Sequence, residues 1–256
     1  MSIITHDRKK AFRPPIFRAG GPDKNGYNLG KKANFEQVFD CQNIPATSSR
    51  LRTNYRKQSG EGLVSRYLFE CSIKLSFKPL TSATAAILFH KFFKEVKATD
   101  YDEYLIAASC LYLAGKIKDE NVRIRDVINV CHNTLHRDSM PLDLGDEYWS
   151  IRDAIVQAEL AITRMLKYDL NFELPHKYLL YYLKSLKDWL GNEVWESIPI
   201  AKTSAGFLQD FHHSPDILRF NPNEVAVCAL SLALQTYGVQ IPLTEEGDDA
   251  QLWYHN

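Results

Sequence analysis

No apolar run in this chain is long enough to cross a bilayer. The longest, residues 104–117, ends beside a lysine, whereas a spanning helix needs about 20 consecutive apolar residues. No basic-then-apolar leader opens the sequence, so neither secretion nor membrane spanning is expected. Cysteine is sparse as well. Cys41, Cys71, Cys110, Cys131 and Cys228 lie far apart, form no C-x-x-C pair and are odd in number. That pattern fits a reduced intracellular chain whose cysteines mostly fill core. The alternating apolar and polar pattern of half-buried strands is almost absent. The chain also has no Gly-rich phosphate loop, no G-x-S-x-G and no paired-carboxylate cluster above ordinary surface charge. His132 and His136 sit four apart on one helix, but the intervening residues lack the glutamate of a zinc protease and no third ligand is evident. No metal or cofactor is implied, and nothing argues for an enzyme.

What is present is an ordinary globular composition, 45% hydrophobic and 24% charged over 256 residues, with a formal net charge of zero. The zero conceals an asymmetry. Residues 1–60 carry 12 Lys and Arg against 4 Asp and Glu, while the remainder carries 19 against 27. A basic segment precedes an acidic body, and such a body is a poor binder of nucleic acid, which needs clustered positive charge. Residues 1–60 also hold Pro14-Pro15, Gly20-Gly21-Pro22, Gly26 and Gly30 without sustained periodicity, so a disordered arm is expected there. Arg8-Lys9-Lys10 could serve as a localisation signal or simply be part of a solvated tail. The expected location is the nucleus or the cytosol.

The most informative stretch is residues 104–117, YLIAASCLYLAGKI, apolar on every face of a helix and rich in small residues. A helix of that kind has to be enclosed by neighbours. Ala107, Ala108, Ser109, Ala114 and Gly115 let those neighbours approach closely, and Lys116 places a charge where the rod meets the surface. From Gly62 onward the pattern is helix after helix. Val64, Tyr67, Leu68, Cys71 and Leu75 mark a first helix closed off by Pro79. Thr81 or Ser82 is expected to cap a second, running to about Lys94. Asp100 to Glu103 resembles a capping box opening the buried helix. A fourth spans about 124–136, and Ile151, Ile155, Ala158, Ile162 and Met165 trace the inner stripe of a fifth. The order then restarts. A helix through Tyr178, Leu179, Tyr182, Leu183 and Leu186 stops at Gly191, another covers about 193–212, and Asn221, Pro222 and Glu224 announce a second small-residue apolar helix, 225–237, ended by Gly238.

At an offset of 119 residues, Ala226, Leu230, Leu232 and Ala233 fall on Ala107, Leu111, Leu113 and Ala114. This predicts an internal repeat of a helical unit. The expected architecture is all-α: an arm (1–60), a five-helix unit (61–172), and a partial second unit (173–256) of about three helices plus a tail. With only 19 residues after Tyr237, the second unit is expected to leave an apolar patch open to solvent or to a partner, covered in part by Leu252, Trp253 and Tyr254.

Two charged residues, Lys116 and Glu159, interrupt apolar helices near a shared end. LYLAGKIKDE (residues 111–120) and QAELAITRMLKYDL (157–170) resemble the cyclin box, in which a lysine follows a Leu-Ala helix and a glutamate precedes an apolar run ending in aromatic-Asp-Leu. The resemblance to the cyclin family implies two tandem cyclin-box bundles, the second apparently incomplete. It also implies that Lys116 and Glu159 grip the backbone just before the regulatory helix of a cyclin-dependent kinase, with Ile117, Leu160, Thr163, Tyr168 and Leu170 supplying apolar contact. VRIRDVINV, WSIRDAIVQAEL, PHKYLLYYLKSL and ALSLALQTYGV are similar to one subfamily, the small atypical cyclins of the cyclin Q type, which pair with cyclin-dependent kinase ten. The resemblance covers about residues 62–242.

Departures from the family pattern carry consequences of their own. Lys118-Asp119 replaces the usual Glu-Glu after the lysine, which puts any contact made by the first of those acids in doubt. The Met-Arg-Ala-Ile-Leu docking patch is absent, so substrate recruitment through it is not implied. Gln235 stands where the second repeat would carry the counterpart of Lys116. The implied function is a non-catalytic activator that favours the active position of the kinase helix. Two alternatives stay open, a cyclin-fold transcription factor that binds nucleic acid or polymerase machinery, and a passive scaffold or all-helical enzyme.

Overall fold

The structure, a computed structural model, describes residues 53–56, 62–137 and 140–239. Among them every regular element is a helix. The first bundle comprises α1 (Leu63–Lys74), α2 (Pro79–Glu95), α3 (Glu103–Ile117), α4 (Ile124–Leu135) and α5 (Asp146–Met165). The second comprises α6 (His176–Ser197), α7 (Ile200–Phe211) and α8 (Pro222–Thr236); 3₁₀ turns lie at Ala98–Asp100, between α2 and α3, and at Pro215–Arg219, between α7 and α8. The expectations for most of the arm and for Leu252, Trp253 and Tyr254 lie outside the described residues.

Helix α3 is the axis of the first bundle, packed by α1, α2, α4 and α5. From Ile106 to Gly115 every residue except Tyr112 is buried, as an all-round apolar sequence requires. Its small residues have a visible role at Gly115, where a methyl group would lie 2.5 Å from Val122 Cγ1 because the loop after α3 folds back over the helix end. The expected capping box at Asp100 is corrected. Asp100 closes the 3₁₀ turn, and Asp102 caps α3, its Oδ1 accepting from the Tyr104 and Leu105 amides at 2.9 and 3.4 Å.

The start of α2 also differs from expectation. Neither Thr81 nor Ser82 is its cap, because the helix begins at Pro79, whose missing N–H and fixed φ suit the first position. The cap comes from a distant residue, since Glu120 Oε1 accepts from the Lys78 amide at 3.1 Å and from Thr81 Oγ1 at 2.8 Å. On α5, Tyr148, Ile155, Ala158 and Ile162 are buried, whereas Met165, expected on the same stripe, is exposed where the helix ends.

In the second bundle, Gly191 interrupts α6 with φ 76°, and the chain then resumes helical turns to Ser197. The single helix expected over 193–212 is therefore two elements, separated by Pro199, which cannot donate a helical hydrogen bond. The start of α8 follows expectation: the Asn221 amide donates to Glu224 Oε2 at 3.3 Å and Asn221 Nδ2 donates to Oε1 at 3.0 Å.

Each bundle has its own apolar core, and a smaller cluster of Ala83, Ile87 and Leu174 joins them, with Leu80, Phe172 and Leu218 packed around it. Three buried imidazoles sit at this junction. His90 Nε2 of α2 donates to the His212 carbonyl at 2.9 Å, His212 Nδ1 donates to the Leu208 carbonyl at 2.7 Å, and the His176 ring lies 5.2 Å from that of His212. Burial drives His176 down to about 3 and His212 down to about 4, and lowers His90 as well.

One piece of the expected arm is packed on the first bundle. Tyr55 is buried with its ring edge-on to Tyr67 at 5.4 Å, its hydroxyl donates to Glu70 Oε2 at 2.6 Å, and its carbonyl accepts from the Tyr104 hydroxyl at 3.1 Å. Burial, followed by the Glu70 carboxylate, pushes the Tyr55 phenol up.

Candidate partner-binding site

Lys116 lies in the last turn of α3, where the helix macrodipole favours a cation. Glu159 lies on α5, 43 residues away in sequence. The two meet: Lys116 Nζ donates to Glu159 Oε1 at 2.7 Å and to Oε2 at 2.9 Å. The ammonium also stands 4.2 Å from the centre of the Tyr112 ring, one turn back on the same helix. Tyr112 was not singled out from the sequence, although its position four residues before Lys116 is the spacing at which helical neighbours touch.

The lysine is exposed and the carboxylate largely shielded, so the bond itself contributes only about 0–1 kcal/mol to stability. Its geometric consequence is larger. Two of the three ammonium donors are committed to the carboxylate, leaving one ammonium donor and the remaining carboxylate lone pairs outside the pair. The chain presents a prepaired cation and anion rather than two independent long side chains.

The apolar candidates fall into two groups. Leu160 and Tyr168 are exposed; Ile117, Thr163 and Leu170 are half-buried, and Ile117 and Leu170 also pack against the first core. Thr163 Oγ1 donates to the Leu160 carbonyl at 2.9 Å, and the Tyr168 amide donates to the Thr163 carbonyl at 2.8 Å, which ties the end of α5 to the segment carrying Tyr168 and Leu170.

Both helices that hold the pair end in left-handed residues that are not glycine, Asp119 (φ 53°) after α3 and Lys167 and Tyr168 (φ 52° and 62°) after α5. Each such residue costs about 1–2 kcal/mol. The Glu120 amide bonds back to the Gly115 carbonyl at 2.9 Å, so the αL turn also brings Glu120 round to cap α2.

Other candidates supply no comparable arrangement. The His132 and His136 rings stack at 4.3 Å, and among the described residues no group of three or more His, Cys, Asp or Glu is placed to hold a metal ion. A cavity of about 680 Å³ at the bundle junction is lined by Leu80, Lys118, Phe172, Leu174, Lys177 and Leu180. No described helix is long and apolar enough to cross a membrane.

Comparison with known proteins agrees with this architecture. The chain is 26% identical over 183 residues to cyclin pch1 of Schizosaccharomyces pombe, covering 71% of this chain and 52% of that protein. It is 29% identical over 174 residues to cyclin-L1 of Gallus gallus, covering 66% and 32% respectively. With cyclin-L1 of Danio rerio the match is 26% over 241 residues, 90% of this chain and 47% of the relative. The chain thus spans about half or less of the length of these curated relatives. The family model for the cyclin N-terminal domain matches residues 33–171, a span that contains the whole first bundle together with Lys116 and Glu159, and on that match the chain belongs to the cyclin family.

Proposed function

We propose that this chain is a non-catalytic regulatory subunit that binds and activates a cyclin-dependent kinase, of the kinase-ten type, in the nucleus or cytosol. The observation that carries the reading is the Lys116–Glu159 pair, held bidentate on the rim shared by α3 and α5. The cyclin relatives support a kinase as the class of partner, and the cyclin Q-like segments favour the kinase-ten type.

The pair cannot act alone. Moving a kinase from about 1:99 to 99:1 in favour of its active helix position takes about 5.5 kcal/mol of differential affinity, and the kinase is competent only when that helix carries its glutamate to the phosphate-holding lysine. The charged pair offers charge-assisted hydrogen bonds to kinase backbone and fixes register. Leu160 and Tyr168, with the exposed parts of Ile117, Thr163 and Leu170, supply the apolar area that rewards the helix-in state.

The test is co-expression with cyclin-dependent kinases including the kinase-ten type, then recovery of the complex and assay of the recovered kinase on a peptide substrate. The expected result is stoichiometric recovery and stimulation. A Lys116→Ala, Glu159→Ala double variant should bind at least about 30-fold more weakly. Undiminished recovery with the double variant overturns the role given to the pair, and binding without stimulation overturns the activator reading.

A further inference from the structure

The turn that leaves α3 is fastened to α2, and the side chain that fastens it is Glu120. The Asp119 amide donates to the Lys116 carbonyl at 3.3 Å, and the Glu120 amide donates to the Gly115 carbonyl at 2.9 Å. With Asp119 left-handed at φ 53°, these are the two bonds of a Schellman ending. Such an ending ordinarily has glycine at the left-handed position and an apolar contact from the residue after it. Here both positions are acidic. Asp119 bears the cost of a left-handed conformation with a full side chain. Glu120 reaches α2, where its Oε1 accepts from the Lys78 amide at 3.1 Å and from the Thr81 hydroxyl at 2.8 Å.

The apolar contact comes instead from further along the chain. A methyl group on Gly115 would lie 2.5 Å from Val122 Cγ1 and 3.5 Å from Phe77 Cζ. Phe77 directly precedes the first residues of α2, so the entry to α2 and the exit from α3 meet over Gly115. A left-handed residue other than glycine persists where its surroundings hold it. The clamp on the neighbouring Glu120 supplies that hold, since Thr81 is buried and α2 packs along α3. Lys116 stands in the last turn before this ending, and its carbonyl is one of the two acceptors.

We infer that Glu120 is a positioning residue for the kinase-binding rim: by clamping the turn after α3 to the start of α2, it fixes Lys116 where the partner meets it. This rests on the kinase-binding reading above and deepens it. The bonds of the Glu120 side chain go to α2, so it acts through the turn rather than by touching the partner. With the clamp released, Asp119 relaxes out of the left-handed region and the two carbonyl bonds are lost. The last turn of α3 then frays, and Lys116 spends part of its time away from Glu159. Apparent affinity falls in proportion to the fraction of molecules still in the competent arrangement.

The experiment measures equilibrium binding to the kinase recovered by co-expression, with thermal unfolding of each free full-length protein alongside. The proteins are wild type, Glu120→Gln, Glu120→Ala, Glu120→Ala with Asp119→Gly, Lys116→Ala with Glu159→Ala, and Asn221→Ala. Glutamine keeps the Oε1 acceptor, so Glu120→Gln should bind within about twofold of wild type. Glu120→Ala should bind about fivefold more weakly, which corresponds to a competent fraction of roughly one fifth. Glycine adopts the left-handed turn without strain, so adding Asp119→Gly should recover most of that loss. Asn221→Ala removes the capping box of α8 in the second bundle; it should lower the unfolding temperature and leave affinity unchanged.

Wild-type affinity in Glu120→Ala, beside a weakened pair variant, overturns this inference and leaves the kinase reading standing. Full binding by the pair variant overturns both. A Glu120→Gln protein as weak as Glu120→Ala, or no recovery on adding Asp119→Gly, means that Glu120 touches the partner itself and overturns the positioning role. An equal loss of affinity in Asn221→Ala assigns the effect to stability and overturns it as well.

Discussion

The axial helices of the two bundles are built from the same pattern and have different surroundings. Leu113 of α3 is 4% exposed, whereas Leu232, its counterpart on α8, is 50% exposed; Ser109 is fully buried, whereas Cys228, its counterpart, is exposed. Four helices pack around α3, while α8 packs chiefly on α6 and α7. Ala107 and Ala226, Leu111 and Leu230, and Ala114 and Ala233 are buried in both helices. The repeat therefore keeps one face of the axial helix buried in both copies, while the positions of Leu232 and Cys228, enclosed in the first copy, are exposed in the second. An apolar helix is enclosed only where the chain supplies the enclosing elements, and composition alone does not reveal which copy has them.

The sharpest way to break that comparison is one substitution made in both copies. Leu113→Ala removes a buried side chain and leaves a cavity, so it should cost about 3 kcal/mol, within the usual range for buried leucines. Leu232→Ala removes a half-solvated side chain and should cost less than about 1 kcal/mol. Urea unfolding of the two variants measures the difference. Equal losses would mean that the outer face of α8 is covered in solution.

The next effect separates the bundles by pH. His176 and His212 titrate near 6.5 in an unfolded chain but at about 3 and about 4 in the fold, chiefly because they are buried at the junction. As pH falls below about 6.5 the unfolded chain takes up protons that the fold refuses, so stability is lost with acidification. The loss continues down to about pH 4 for His212 and about pH 3 for His176, approaching 1.4 kcal/mol per pH unit for each group. Lys118 adds to the pressure on His176, and His90 and His213 add to that on His212. Amide exchange at pH 7 and pH 5 should show α6 and α7 losing protection before α3. A His176→Gln protein should have a shallower pH dependence, and an unchanged slope would remove His176 from the account.

Local signals made much of the fold legible. The Asn221-Pro222-x-Glu224 start of α8 and the all-round apolar character of α3 need only neighbours in sequence, and both appear as expected. What escaped was supplied from far away in the chain. Glu120 caps α2 across 42 residues, His90 meets His212 across 122, and Tyr55, within the segment expected to be a disordered arm, bonds to Glu70. No window of sequence displays these pairings, and two of them displaced a local expectation: a Thr81 or Ser82 cap, and an arm disordered as far as residue 60. In the candidate site, Lys116 and Glu159 stood out as charges interrupting apolar helices, and their mutual bond required the fold.

A smaller effect sharpens the contrast at the helix ends. A methyl group at residue 115 meets Val122 Cγ1 at 2.5 Å, so Gly115→Ala should destabilise the first bundle by about 1–3 kcal/mol through overpacking, offset in part by the better helix propensity of alanine. Gly206 of α7 has open space where its Cβ would be, so Gly206→Ala should instead stabilise by about 0.5–1 kcal/mol. Thermal unfolding should move the two variants in opposite directions.

The smallest expected effect lies at the end of α5. Lys167 holds φ 52° with a full side chain, and its own amide already bonds to the Arg164 carbonyl at 2.9 Å, so glycine there relieves the left-handed strain without removing a backbone bond. The gain is opposed by the greater freedom of glycine in the unfolded chain, leaving a net stabilisation of about 0.5–1 kcal/mol for Lys167→Gly. The Tyr168 amide bonds to Thr163 through the same turn, so the placement of Tyr168 should survive and kinase affinity should stay within twofold of wild type. A variant that is more stable but binds poorly would show that the lysine itself, rather than the turn it occupies, contacts the partner.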